Sequence, residues 1–351
     1  MLLNIVRTRY NDSPEFLALS SITTQFEVGK DISFGNEFGL GNARLAGKIA
    51  AADRPTVSLA PLQDEQFTRR FLSPIRLDTI YLFALNDRRM GWILRVVVQK
   101  ANGLTNSPDV LPRETSPAGA FEWIAQTLGD MARQQQVEIA YEERIEPVSP
   151  AIDPQLIKGT DVVAAVEKGY QFRLADKGKT VALTQKKREL VLRFSPQVVG
   201  GQEVETITKL LSLKPGQLTY SIKPAIEGQL KPTPPLRKEL IVNTRSVEEI
   251  FHFLSFGVEV PVKHIEKGLV RNQNGCSIPG STAAGLLRIR SSKVRPHHAA
   301  VAVCYQGYWF SIEDADPVSK ETFERLLELY NLEIRGGGVV GTPLLTLPVG
   351  R

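Results

Sequence analysis

Cysteine and histidine are scarce in this chain, and their scarcity removes much familiar chemistry. Two cysteines, Cys276 and Cys304, are too few for a disulfide framework or a thiolate metal site, and leave either one bridge or two free thiols. Four histidines, His252, His264, His297 and His298, stand in no metal-ligand spacing with cysteines or carboxylates. There is no phosphate-loop GxxxxGK(S/T), no GxGxxG after a strand, no HExxH, no GxSxG and no CxxC. No apolar run approaches the roughly 18 residues of a membrane-spanning helix. The opening MLLNIVRTRYND does not read as a signal peptide. The formal net charge of +5 is mildly basic, and the charges are scattered along the chain.

What is present is ordinary globular composition, 42% hydrophobic and 23% charged over 351 residues, enough for two or three domains. Period-two and period-3.6 stretches alternate along the chain, which gives an α+β fold class: mixed antiparallel sheets with packed helices. The expected division is an N-terminal α+β domain over 1–110, a middle one over 118–235 and a C-terminal one over 236–351. Residues 147–154 read as a linker.

The most regular strand signal lies near the start. From Ile22 the even positions Phe26, Val28, Ile32 and Phe34 are apolar, with Thr24 and Lys30 breaking the row, against polar odd positions. Gly35–Gly41 reads as the turn and Ala43–Ile49 as a weaker return strand, with a separate strand over Pro55–Leu62. The result is a long amphipathic β-hairpin over about 16–50. It either covers a core or contributes to an oligomeric sheet or barrel, in a membrane in the extreme case, since a spanning strand needs about 9–11 residues.

Further along, Met90–Ala101 reads as a helix stopped by an Asn102-Gly103 C-cap, although Val96-Val97-Val98 favours strand. Three short strands follow at 170–174, 180–184 and 189–194, with Lys186-Lys187-Arg188 as a turn. Ser246 and Glu249 form a capping box for a helix.

The C-terminal block is the most sharply patterned. Ala299–Tyr305 and Tyr308–Glu313 alternate on either side of Gln306-Gly307, the signature of a two-residue hairpin turn. That register puts Val301, Val303, Tyr305, Tyr308, Phe310 and Ile312 on one face and Cys304 opposite Trp309 on the other. Asp316-Pro317 opens a helix whose expected apolar face is Phe323, Leu326, Leu327 and Tyr330. Gly336-Gly337-Gly338 breaks the pattern, and Pro343–Pro348 reads as a final strand. Two sites suggest themselves. His297 and His298 near Glu313, Asp314 and Asp316 could serve an enzyme, a small-ligand site or a metal. Arg288, Arg290, Lys293 and Arg295 near Trp309 could meet a nucleic acid. The bland readings are a loop entering a strand, a capping turn and a charged edge strand.

Several stretches together resemble one family: LLNIVRTRYNDSPEFLALSSITTQFEV, TVSLAPLQDEQFTRRFLSPI with ILRVVVQKANGL, RSVEEIFHFLSFGVEVPVKHIEKGLV, and RIRSSKVRPHHAAVAVCYQGYWFSIEDADPVSKETFERLLELYNL with PLLTLPVG. They are similar to a group of uncharacterised Gram-negative hypothetical proteins, many of them predicted lipoproteins, in which the segment like LLNIVRTRY follows a signal and lipidation segment. The resemblance implies a cell-envelope location, periplasmic or outer-membrane-associated, and a cytoplasmic one if Met1 is the natural start. It carries over no functional residues. The expectation is therefore a non-enzymatic, self-associating structural or assembly protein without a cofactor. Its expected partner is another copy or an envelope protein rather than a nucleic acid, no transmembrane helix is expected, and any membrane association would come through a lost lipid anchor.

Overall fold

The computed structural model describes residues 1–31, 48–61, 64–107, 117–175, 179–225, 237–270 and 282–335. The first part holds α1 (Leu2–Arg9), β1 (Leu17–Asp31), β2 (Lys48–Pro61), α2 (Glu65–Leu72), α3 (Leu77–Ala84), α4 (Met90–Val97), β3 (Val98–Ala101) and β4 (Leu104–Thr105). Then come α5 (Pro117–Arg133), β5 (Val137–Pro147), α6 (Gly159–Glu167), β6 (Tyr170–Ala175), β7 (Thr180–Phe194), α7 (Gln202–Leu210) and β8 (Thr219–Pro224). The last part is β9 (Glu239–Thr244), α8 (Val247–Ser255), α9 (Val262–Glu266), α10 (Thr282–Leu286), β10 (Arg290–Ser292), β11 (Ala299–Tyr305), β12 (Tyr308–Glu313) and α11 (Pro317–Tyr330). This is an α+β fold with largely antiparallel sheets and packed helices.

The central sheet runs β4-β3-β9-β8-β7-β5, with β6 beside the first part of β7. Strands from 1–110, 118–235 and 236–351 thus share one sheet, because β9 enters between β3 and β8. A single continuous core runs from Leu2 to Ile334. Residues 147–154 are held to the sheet: Val148 N–H donates to the Leu183 carbonyl at 2.8 Å, and Ile152 bridges Val181.

Two sequence expectations change for identifiable reasons. Lys186-Lys187-Arg188 is the middle of one continuous strand, β7, not a turn between two. The facing strand β5 supplies what the triplet lacks locally. Lys186 pairs with Glu143 and Lys187 with Glu146, each at 3.4 Å, and the Arg188 guanidinium lies 4.7 Å from the Tyr141 ring centre. Asn102-Gly103 is the two-residue turn of the β3–β4 hairpin rather than a helix cap; its φ values are 46° and 88°. Both roles need positive φ, so the dipeptide alone does not separate them. The Asn102 amide also accepts from Ile241 N–H at 2.8 Å and donates to the Leu211 carbonyl at 2.8 Å.

Two devices lock the helices to this sheet. At the α4–α5 crossing, glycine faces glycine: a Cβ on Gly129 would stand 2.9 Å from the Gly91 Cα. The same crossing holds the Arg95–Glu122 pair, with Nε to Oε2 at 2.9 Å. Arg245, 3% exposed, threads the end of α4. Its guanidinium donates to the carbonyls of Val96 (2.9 Å), Val98 (3.0 Å) and Asn106 (2.6 Å) and lies 4.0 Å from the Phe253 ring centre. These carbonyls include orphans that every helix C-terminus leaves. Burial pulls the Arg245 pKa down to about 9, so the cation persists at neutral pH.

The C-terminal sheet has the order β10-β12-β11 and the expected register, Cys304 opposite Trp309 and Tyr305 opposite Tyr308. Gln306 and Gly307 have φ of 49° and 76°, as the turn demands. Asp316 caps α11 by accepting from Ser319 N–H at 3.1 Å. The buried face of α11 is Thr322, Arg325, Leu326, Leu329 and Tyr330, while Leu327 is 37% exposed. The helix is thus rotated from its expected face, because it meets Trp92 and α10 as well as β12. Cys276 and the strand expected over Pro343–Pro348 lie outside the described residues.

Candidate functional site

β1 and β2 form a sheet of their own, to which no third strand is bonded among the described residues. The ladder runs from Leu17↔Pro61 to Asp31↔Lys48, so the return strand and the strand expected at Pro55–Leu62 are one element. Residues 43–47, the Gly35–Gly41 turn, Ile32 and Phe34 lie outside the described residues. At about 3.3 Å per residue the ribbon is about 46 Å long. Partners across an antiparallel ladder share a face. One face therefore carries Ile22↔Val57, Thr24↔Pro55, Phe26↔Asp53, Val28↔Ala51 and Lys30↔Ile49.

The sequence alone misplaces the first part of this row, because Leu17 and Leu19 are odd-numbered. A register shift between Leu19 and Ser21 inserts one residue, and on β2 the alternation runs unbroken through Leu59 and Pro61. Leu17↔Pro61 and Leu19↔Leu59 thus join the apolar row. The other face holds Ser21↔Ser58, Thr23↔Thr56, Gln25↔Arg54, Glu27↔Ala52, Gly29↔Ala50 and Asp31↔Lys48.

The body grips the root of the ribbon. Phe16, just before β1, stacks on Tyr330 with ring centres 5.2 Å apart and lies 5.3 Å from both Phe67 and Phe71. Asn4 and Glu15 exchange two hydrogen bonds, at 2.7 and 3.1 Å. Both ends of the ribbon are therefore anchored in one aromatic cluster.

The other singled-out residues sit on the C-terminal sheet. Arg290 faces Glu313 at 3.6 Å and Glu259 at 3.8 Å. Arg295 lies 5.4 Å from the Trp309 ring centre and Lys293 6.0 Å from that of Tyr308. Those two cations already rest on the chain's own rings. Arg288 is exposed, and its backbone N–H donates to Ser319 Oγ at 2.8 Å. His297 and His298 are exposed, and the His298 carbonyl accepts from Asp314 N–H at 3.3 Å, so that histidine and the acidic turn are adjacent. The acidic residues are occupied: Asp314 pairs with Lys320 at 2.9 Å and Asp316 caps its helix. Among the described residues no three His, Cys, Asp or Glu side chains are placed to hold a metal ion, and no helix is long and apolar enough to cross a membrane.

Sequence reasoning assigned nothing to His264. It is 4% exposed, and its Nδ1 is hydrogen-bonded to the Tyr10 hydroxyl at 2.7 Å. The Tyr10 and Tyr308 rings meet it edge-on, at 5.6 and 4.7 Å. Tyr305 donates to Asp12 beside this cluster. Burial, and then the Lys267 cation, hold the His264 pKa below its ordinary value, while burial pushes the Tyr10 phenol up to about 12. This cluster joins the first helix to the last hairpin. An open depression of about 500 Å³ lies elsewhere, lined by Gln66, Arg69, Arg70, Arg76 and Glu333. There Arg69 is paired with Glu65 and Arg70 donates to the Ile334 carbonyl.

No family model, curated protein or solved structure matches this chain.

Proposed function

We propose that this chain is a non-enzymatic assembly protein of the bacterial cell envelope, which joins copies of itself through the β1–β2 ribbon. The observation that carries the reading is the 14-pair ribbon, sorted into an apolar and a polar face, with no third strand bonded to it among the described residues. A two-stranded hairpin is marginal in water by itself, and it has two edges of unpaired N–H and C=O groups. Pairing with further strands satisfies those edges and widens the apolar face into a coverable surface. The sequence resemblance to predicted lipoproteins supports the envelope assignment.

The test is particle mass by light scattering, in detergent and in buffer, for the full chain and for one in which residues 18–60 are replaced by a short Gly/Ser link. An oligomer that becomes a monomer with an unchanged melting transition supports the reading. A monomer in every condition overturns it.

A further inference from the structure

The ribbon's charges are segregated by strand. On its polar face the acidic residues, Glu27 and Asp31, both belong to β1, and the basic residues, Arg54 and Lys48, both belong to β2. Within one hairpin this sets one row against the other. Between hairpins it discriminates among docking modes. If two copies met through like edges, β1 to β1 or β2 to β2, rows of one sign would run side by side. If the β2 edge of one copy meets the β1 edge of the next, every seam repeats the pairing found inside the hairpin. That arrangement keeps all strands antiparallel and all copies in one orientation. Like charges directly opposed on a sheet are unfavourable and opposite ones favourable.

We propose, resting on the assembly reading above, that successive copies add head to tail, β1 edge to β2 edge, into a closed antiparallel barrel whose apolar row faces lipid hydrocarbon. A head-to-tail contact produces a ring when its rotation closes, and sheet twist supplies that rotation. A barrel needs about eight strands or more, hence about four copies or more at two strands each. The apolar row from Leu17↔Pro61 to Val28↔Ala51 covers about 33 Å along the ladder, or about 25 Å at a tilt of about 40°, matching the roughly 25 Å apolar band of membrane barrels. The register shift next to Ser20 keeps Leu17 and Leu19 in phase with Ile22 and Phe26, which extends the row to this length. Asp53, opposite Phe26, is the one charge inside the span; Lys30 lies beyond it.

The test uses the full chain with phosphatidylethanolamine–phosphatidylglycerol vesicles, followed by native mass spectrometry in detergent. Three proteins are compared: the wild type, Glu27→Lys with Asp31→Lys, and the fourfold variant that adds Arg54→Glu and Lys48→Glu. The wild type is expected to float with the vesicles and to give one discrete mass of four copies or more. Reversing the β1 row alone is expected to lower that mass at least fourfold, to the monomer, with the body's melting transition unchanged. Reversing both rows restores opposite signs at every seam and is expected to recover the ring. A dimer, or a ring indifferent to the β1 reversal, overturns the head-to-tail seam while leaving self-association standing. A ring that forms in plain buffer and does not float overturns the lipid-facing orientation. A monomer throughout overturns both this inference and the assembly reading.

Discussion

Gly257→Ala is the sharpest test of the packing between the α8 terminus and the C-terminal sheet. A Cβ at Gly257 would stand 1.9 Å from the Leu287 carbonyl oxygen, where real Cβ atoms essentially never come within 3.0 Å. The obstacle is backbone, so no side-chain rotation relieves it, and the two segments have to part by about 1.1 Å or more. Two hydrogen bonds cross this junction, Ile289 N–H to the Gly257 carbonyl at 3.0 Å and Glu259 N–H to the Ile289 carbonyl at 2.8 Å. Such a displacement takes them beyond about 3.5 Å, at a cost of about 0.5–1.5 kcal/mol each. Val258, Leu287 and Ile289 are fully buried around it, and disturbed packing of that kind adds about 1–3 kcal/mol. The sum is about 4 kcal/mol. Spread over 351 residues at about 2.1 cal/mol/K each, it lowers the Tm by about 5 °C. The control is Gly159→Ala at the start of α6, where an added Cβ meets nothing within 4 Å and the backbone is already helical. There the substitution is neutral or gains about 0.5–1 kcal/mol. Scanning calorimetry of the two variants decides the matter: equal transitions, within a degree, would refute the close-approach argument.

Other outcomes follow from the same geometry. Gly129→Ala pushes against the Gly91 backbone at the α4–α5 crossing and is expected to cost about 1–3 kcal/mol in urea titration, whereas a full-stability variant would mean the helices slide apart freely. Arg245→Met leaves the Val96 and Asn106 carbonyls without the guanidinium, each worth about 1–3 kcal/mol, partly offset because no cation is then buried. A net loss of about 2–4 kcal/mol is expected by chemical denaturation, and a stabilised variant would show that cation burial dominates. His264 has a folded pKa below its unfolded value of 6.5, so the unfolded chain takes the proton first. Its contribution is complete above pH 6.5 and is lost as the pH falls below that value, so the urea midpoint should drop between pH 7.5 and 5.5. His264→Gln should flatten that slope, and an identical slope in the variant would assign it to other groups.

Local chemistry was readable wherever a short segment settles its own conformation. Ser246 with Glu249, Gln306-Gly307 and Asp316 each satisfy backbone needs within four residues, and all three stand as expected. Where the deciding partner is remote, the sequence misled. Lys186–Arg188 look like a turn until Glu143 and Glu146 are placed opposite them. Helix α6 is not legible in the sequence, because Val162, Val163 and Val166 are exposed and give no buried stripe. The ribbon was legible from Ile22 onward, but its phase before Ser20 depends on a bulge that composition does not announce. The separation of its charges by strand required the register.

The bond between Tyr10 and His264 spans 254 positions of chain. Ribosomes add about 5–20 residues per second, so Tyr10, at the end of α1, waits roughly 13–50 s after its own synthesis before His264 exists. During that interval the apolar side of the first helix, Leu2, Ile5 and Val6, has nothing of its own chain from the last sheet to cover it. The native state is thus completed late, when the segment around α1 is met by one made 254 positions after it, and a nascent-chain binder has that long an opportunity at the α1 segment.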